Sequence, residues 1–280
     1  MPLRHAPVHL GYSPHELASS PFAAYYRPEL APLSPAVQHA LLAGPLAPAL
    51  MPALSEAPAL LQAGNQAVET GYTVHPDGSG QVHVLTPMPE VTPAMWSWWF
   101  AWHGHDPLRY KLWHPQAHLH VAWADGEGDL GRYVGRVSRV VEYVGAQRLR
   151  LTIAFVPPRT LGLDEARLAA QGEVAICARC GFDHTPLDTG WVVHHVRPTA
   201  QGCEMRSRFW AGGRHVHVRG LPLGRLGEAM TQRAARLVQP IRPQQAADLL
   251  VHCAQEMAHL AVILPALHAR FAGLSPAPAR

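Results

Sequence analysis

Pro243-Gln-Gln-Ala-Ala-Asp-Leu-Leu-Val-His-Cys-Ala-Gln-Glu-Met-Ala-His-Leu-Ala-Val-Ile-Leu-Pro265 has the composition of one long helix, continuing to Phe271. Pro243 suits the first turn, Gly273 lies past the end, and Pro265 predicts a kink. Leu249, Leu250, Val251, Met257, Leu260, Ala261, Val262 and Ile263 make the helix apolar around much of its circumference, which predicts burial. A buried helix needs a surface to wrap it.

The preceding residues supply that surface. Leu108–Trp113, His118–Trp123, Tyr133–Val144, Leu149–Phe155, Val174–Cys180, Trp191–Arg197 and Cys203–Trp210 are rich in β-branched and aromatic residues. Short turn-like connectors join them, which favours an antiparallel sheet. The fold class is therefore α+β: a curved antiparallel sheet gripping the C-terminal helix. A second helix starts at Thr92 and Pro93, carries Met95, Trp98, Trp99 and Trp102 at helical spacing, and is expected to stop at Gly104. Its aromatic stripe reads as packing against a sheet.

The first 85 residues are punctuated by proline and read as a covering or dimerisation region. Within them, His75-Pro-Asp-Gly-Ser-Gly80 before Val82 and Val84 predicts a hairpin. The boundary is placed near Thr86, giving regions 1–85 and 86–280.

Composition narrows the function. Of 280 residues, 48% are hydrophobic, enough for a substantial core. The net charge of +3, from 23 basic and 20 acidic residues without any block of like charge, argues against a nucleic-acid partner. Pro45, Pro48, Pro52 and Pro58 interrupt the apolar stretch Ala36–Leu61, so no membrane span is expected there. The four cysteines make no disulfide framework and no signal peptide opens the chain, so a cytoplasmic location is expected. Cys177-Ala-Arg-Cys180 has no second pair at zinc-finger spacing and reads as structural.

Nineteen histidines offer many candidate ligands, most of them bystanders. His252 and Glu256, four residues apart on the long helix, share a face and are spaced to chelate one cation. Such a pair is ordinarily an exposed intrahelical contact. Here the apolar helix implies burial, and a buried carboxylate needs a partner. Glu142, between Val140, Val141, Tyr143 and Val144, either faces solvent or is buried for a purpose. Glu204, Arg206 and Arg208 alternate along one strand face and read as a solvated ladder.

The segments Pro89-Glu-Val-Thr-Pro-Ala-Met-Trp-Ser-Trp-Trp-Phe-Ala-Trp-His103, Leu108-Arg-Tyr-Lys-Leu-Trp-His-Pro-Gln-Ala-His118, Tyr133-Val-Gly-Arg-Val, Val141-Glu-Tyr-Val-Gly145 and Cys203-Glu-Met-Arg-Ser-Arg-Phe-Trp210 together resemble the 2,4-diacetylphloroglucinol hydrolase and phloretin hydrolase family. The resemblance spans about residues 87 to 260. It implies a helix-grip (Bet v 1-like) domain, a smaller dimerising N-terminal region, and a zinc-dependent hydrolase that splits the carbon–carbon bond between an acyl group and a phloroglucinol ring. The substrate is then a small aromatic, polyketide-like molecule. By the same resemblance the zinc ligands are His252, Glu256, Glu142 and His118, with His114 as the alternative to His118. Tyr110 and Trp210 match aromatic positions around the substrate. A substrate-facing histidine falls at His194 or His195; His195 is favoured as acid/base, with His194 beside it on the opposite face.

Two other functions fit such a scaffold: a non-catalytic small-molecule carrier, and a polyketide cyclase or decarboxylase. Buried carboxylates and histidines converging on one point separate a hydrolase from a carrier.

Overall fold

The computed structural model describes residues 9–128, 130–220, 224–238 and 240–273. Nine strands form one antiparallel sheet: β1 (Gly71–Val74), β2 (Ser79–Pro89), β3 (His118–Trp123), β4 (Val137–Val144), β5 (Gln147–Val156), β6 (Val174–Phe182), β7 (Leu187–Thr199), β8 (Gly202–Gly212) and β9 (His217–Val218). The order is β1-β2-β8-β7-β6-β5-β4-β3, with β9 paired to β7. The helices are α1 (Pro14–Ser19), α2 (Pro35–Ala43), α3 (Pro93–Trp102), α4 (Pro107–Trp113), α5 (Glu165–Gln171), α6 (Gly224–Val238) and α7 (Pro243–Phe271). This is the helix-grip architecture, with α7 packed on β1, β2 and β4. By length and composition α7 could cross a membrane, yet 56% of its apolar window is buried inside the fold.

Alternation assigns the two faces of the sheet. Val82, Val84, Ile176, Ala178, Val192, Val196, Cys203 and Met205 join Leu250, Met257, Leu260 and Leu264 of α7 in the main core. Ala175, Cys177, Val193 and Trp210 point the other way, into a second core under Leu60, Leu61, Leu163 and Leu168. Residues 54–61, a 3-10 segment, cover that outer face together with α5. Cys177 and Cys180 therefore stand on opposite faces, and all four cysteines are free thiols.

Several expectations change. Leu108–Trp113 is helix, not strand: Asp106 caps the Leu108 N–H at 2.8 Å and Pro107 opens the first turn, local signals that outweigh aromatic strand propensity. The strand expected from Tyr133 begins at Val137, because Gly135 at φ +84° and the Arg136-to-Tyr133 turn bond of 2.9 Å interrupt it. Gly104 serves a close approach, since a Cβ there would sit 2.3 Å from the Trp123 ring. The hairpin around His75–Gly80 forms as β1 and β2. Thr86 lies inside β2, which pairs with β8 from Ser79 to Pro89, so the expected boundary cuts a continuous strand.

The N-terminal segment wraps both faces. Phe22 packs on Trp102 and Phe271, each at 5.3 Å between centroids. Tyr12 donates to the Leu108 carbonyl at 2.7 Å, and Lys111 pairs with Glu16 at 2.9 Å. Pro265 sits within the unbroken span of α7.

Candidate metal centre

Three elements meet at one buried point. His118 opens β3 and lies directly opposite Glu142 in β4, while α7 brings His252 and Glu256 from above. A register shift between His118 and His120 follows at once. This bulge turns His118 towards the interior together with Leu119 and Val121, while His120 is exposed.

The donor atoms converge. His118 Nε2 is 3.5 Å from Glu256 Oε2 and 3.7 Å from Glu142 Oε2; His252 Nε2 is 3.8 Å from Glu256 Oε2 and 3.9 Å from Glu142 Oε1. Ligands about 2.0–2.1 Å from a tetrahedral ion stand roughly 3.3–3.4 Å apart, so these separations suit a cation between them after a small contraction. Donor atoms of His118, His252 and Glu256 all lie within 4.8 Å of one another.

The electrostatics of the donor set favour a cation as well. Burial pushes the Glu142 carboxyl up to about 7, against the lowering effect of a hydrogen bond donated by the Tyr110 hydroxyl. Burial and the neighbouring Glu142 push Glu256 well above its usual range. Two adjacent buried carboxylates ionise together only beside positive charge. Both histidines are held neutral: burial lowers His252 to about 4 and His118 well below its ordinary value.

The ligand rings are pre-oriented. His118 Nδ1 bonds the Tyr110 carbonyl at 3.0 Å, which puts its proton on Nδ1 and leaves Nε2 a bare, buried lone pair without a partner. The His252 ring bonds the main chain at Tyr143. That orphaned nitrogen, with the two carboxylates, fits a divalent ion such as zinc; His118, Glu142, His252 and Glu256 would hold it.

His114 is not in this group. As the C-cap of α4 it stacks on His252, with centroids 5.1 Å apart and planes at 17°. Tyr110 is brought in, parallel to His118 at 3.8 Å and bonded to Glu142.

Two expected residues lie elsewhere. His195 faces the outer side, where its Nε2 bonds Glu173 at 2.8 Å, and Trp210 is on the same side with its indole N–H on the Pro52 carbonyl at 3.1 Å. His194 is the histidine on the α7 side, between Phe100 at 5.9 Å and Phe209 at 5.7 Å. Both faces of β7 are covered, so apolar alternation cannot tell the two histidines apart. Nor are Arg206 and Arg208 solvated: each is 1% exposed and both bond Glu69.

Sequence reasoning missed Phe209, Ser207 and His103. His103 stacks between Trp99 at 5.3 Å and Tyr110 at 6.0 Å. Phe209 and Ser207 share His194's side, a parity readable from the β7–β8 register once that is known.

Gripped helix, sheet and converging donors define a helix-grip protein with a buried His/Glu cluster at its centre. The chain belongs to the DAPG hydrolase family: residues 50–269 match the family described as "DAPG hydrolase PhiG domain". It is 30% identical to a 2,4-diacetylphloroglucinol hydrolase of Pseudomonas protegens, over 90% of this chain and 85% of that one. It is 31% identical to a phloretin hydrolase of Eubacterium ramulus, over 88% of each chain. Among solved structures, Ara h 8.0201 aligns with a TM-score of 0.30 at 12% identity, over 62% of this chain and 99% of that one. The fold assignment rests on strand order and α7, not on that score.

Proposed function

We propose that this protein is a zinc-dependent hydrolase that cleaves the carbon–carbon bond between an acyl group and a phloroglucinol-type ring. The carrying observation is the convergence of His118, Glu142, His252 and Glu256 around the orphaned His118 Nε2. Family membership supplies the substrate class, since its named relatives act on acylphloroglucinols.

The chemistry needs a leaving group better than an aryl carbanion. Protonation of the ring carbon bearing the acyl group gives a β-diketone-like tautomer. Water then adds to the acyl carbonyl, the carbon–carbon bond breaks, and the ring leaves as a stabilised enolate. The products are a carboxylic acid and the deacylated phenol. A divalent ion held at the centre would supply Lewis acidity and lower the pKa of water.

The chain's own groups do the rest. Tyr110, whose phenol burial and Glu142 keep protonated, orients that carboxylate and offers a hydroxyl beside the centre. His194 takes the place assigned to His195 as the histidine facing the substrate. Trp113 and His103 pack on the Tyr110 ring, with Phe100 behind them, and keep water from its hydroxyl side of the centre. The N-terminal wrap serves a cytoplasmic homodimer in this reading.

Product analysis on diacetylphloroglucinol, monoacetylphloroglucinol and phloretin tests it, together with metal analysis of the purified protein. Release of a free carboxylic acid by metal-loaded protein supports hydrolysis. Carbon dioxide, a retained acyl chain, or binding without turnover would each replace it with the decarboxylase, cyclase or carrier reading.

A further inference from the structure

His194 is held by a side chain, not by the main chain. Its Nδ1 lies 2.8 Å from the hydroxyl of Ser207, its cross-strand partner in β8. Ser207 is fully buried, and among the described residues its hydroxyl has His194 Nδ1 as its hydrogen-bond partner.

The two possible proton arrangements are unequal. With the proton on His194 Nδ1, the ring donates to Ser207 and the buried Ser207 O–H is left without an acceptor among the described residues. In the other arrangement Ser207 donates to the bare His194 Nδ1, and no buried hydroxyl proton is stranded.

We propose that Ser207 is a positioning residue that fixes His194 in the tautomer carrying its proton on Nε2, an inference that rests on the hydrolase reading for its catalytic meaning. His194 then meets substrate as a hydrogen-bond donor to an acyl or phenolic oxygen, and not as a base. Burial lowers His194 to about 3, so the donor is a neutral imidazole across the physiological range. Nε2 forms no hydrogen bond with any described residue, which leaves it available to a ligand.

Long-range 15N–1H NMR of the zinc-loaded protein, with His194 assigned by loss of its signals in His194→Gln, reads the tautomer directly. A protonated Nε2 and bare Nδ1 are expected. A protonated Nδ1 overturns the proposal. Ser207→Ala should release the fixed tautomer and lower kcat roughly tenfold with KM unchanged, the factor associated with one orienting hydrogen bond. Ser207→Thr, which keeps the hydroxyl, should restore both. An unchanged tautomer in Ser207→Ala also overturns it. The NMR readout needs no turnover, so finding the Nε2–H tautomer in a protein that cleaves no acylphloroglucinol would sink the hydrolase reading while this assignment stands.

Discussion

Tyr110 and His118 are joined twice: their rings lie parallel at 3.8 Å, and the Tyr110 carbonyl accepts the His118 Nδ1 proton at 3.0 Å. The Tyr110 hydroxyl meanwhile bonds Glu142, so one residue orients two donors of the candidate metal centre. Tyr110→Phe keeps the ring and the carbonyl but loses the hydroxyl. Metal affinity should fall about 10–100-fold, the usual effect of removing a partner that orients a ligand. Chelator competition measures it, and unchanged affinity would show that the hydroxyl does not orient Glu142.

His118→Ala, His252→Ala and Glu256→Ala should each lose most of the bound metal, whereas His114→Ala should retain it. The reason is geometric: His114 stacks on a ligand ring but stands outside the donor cluster. Elemental analysis of the four variants decides this, and stoichiometric metal in His118→Ala with none in His114→Ala would reverse the assignment.

Metal entry at pH 6 should release about two protons. At that pH Glu142, raised to about 7, and Glu256, raised well above its usual range, are protonated in the metal-free protein, while the lowered histidines have no proton to give. Calorimetric titrations in buffers of different ionisation enthalpy count them. Release near zero would mean that the carboxylates are already ionised.

The same shift sets a stability trend. A carboxyl raised in the fold contributes stability that is fully present below its unfolded value, 4.5, and is lost as pH rises through about 7. Metal-free protein should therefore lose stability relative to Glu142→Gln between those limits, and metal should cancel the loss. Denaturant midpoints across that pH range test the sign; a metal-free wild type that gains on Glu142→Gln as pH rises would contradict it.

His194→Ala should lower turnover by about 10²–10³-fold, the usual effect of losing one donor to a developing oxyanion, while retaining metal. His195→Ala should leave turnover close to wild type and cost about 1–3 kcal/mol, because it removes the partner of the half-buried Glu173 on the outer face. Steady-state rates and denaturant unfolding separate the two. Equal loss of turnover in both variants would mean that the outer face takes part.

The sequence alone determined the long C-terminal helix, the antiparallel sheet and the placing of His252 and Glu256 on one helix face, because periodicity and i,i+4 spacing are local properties that survive without tertiary context. It also singled out Glu142 as a charge within an apolar strand. Tertiary structure decided what depends on partners far along the chain. Whether His194 or His195 faces α7, and whether Arg206 and Arg208 are solvated, turned on residues 51–70 covering the outer face and bringing Glu69 to the guanidinium groups. That His118 and not His114 stands opposite Glu142 in the donor cluster depends on the β3–β4 register. Strand parity says that two neighbours point apart; only the packed layers say which side holds the chemistry.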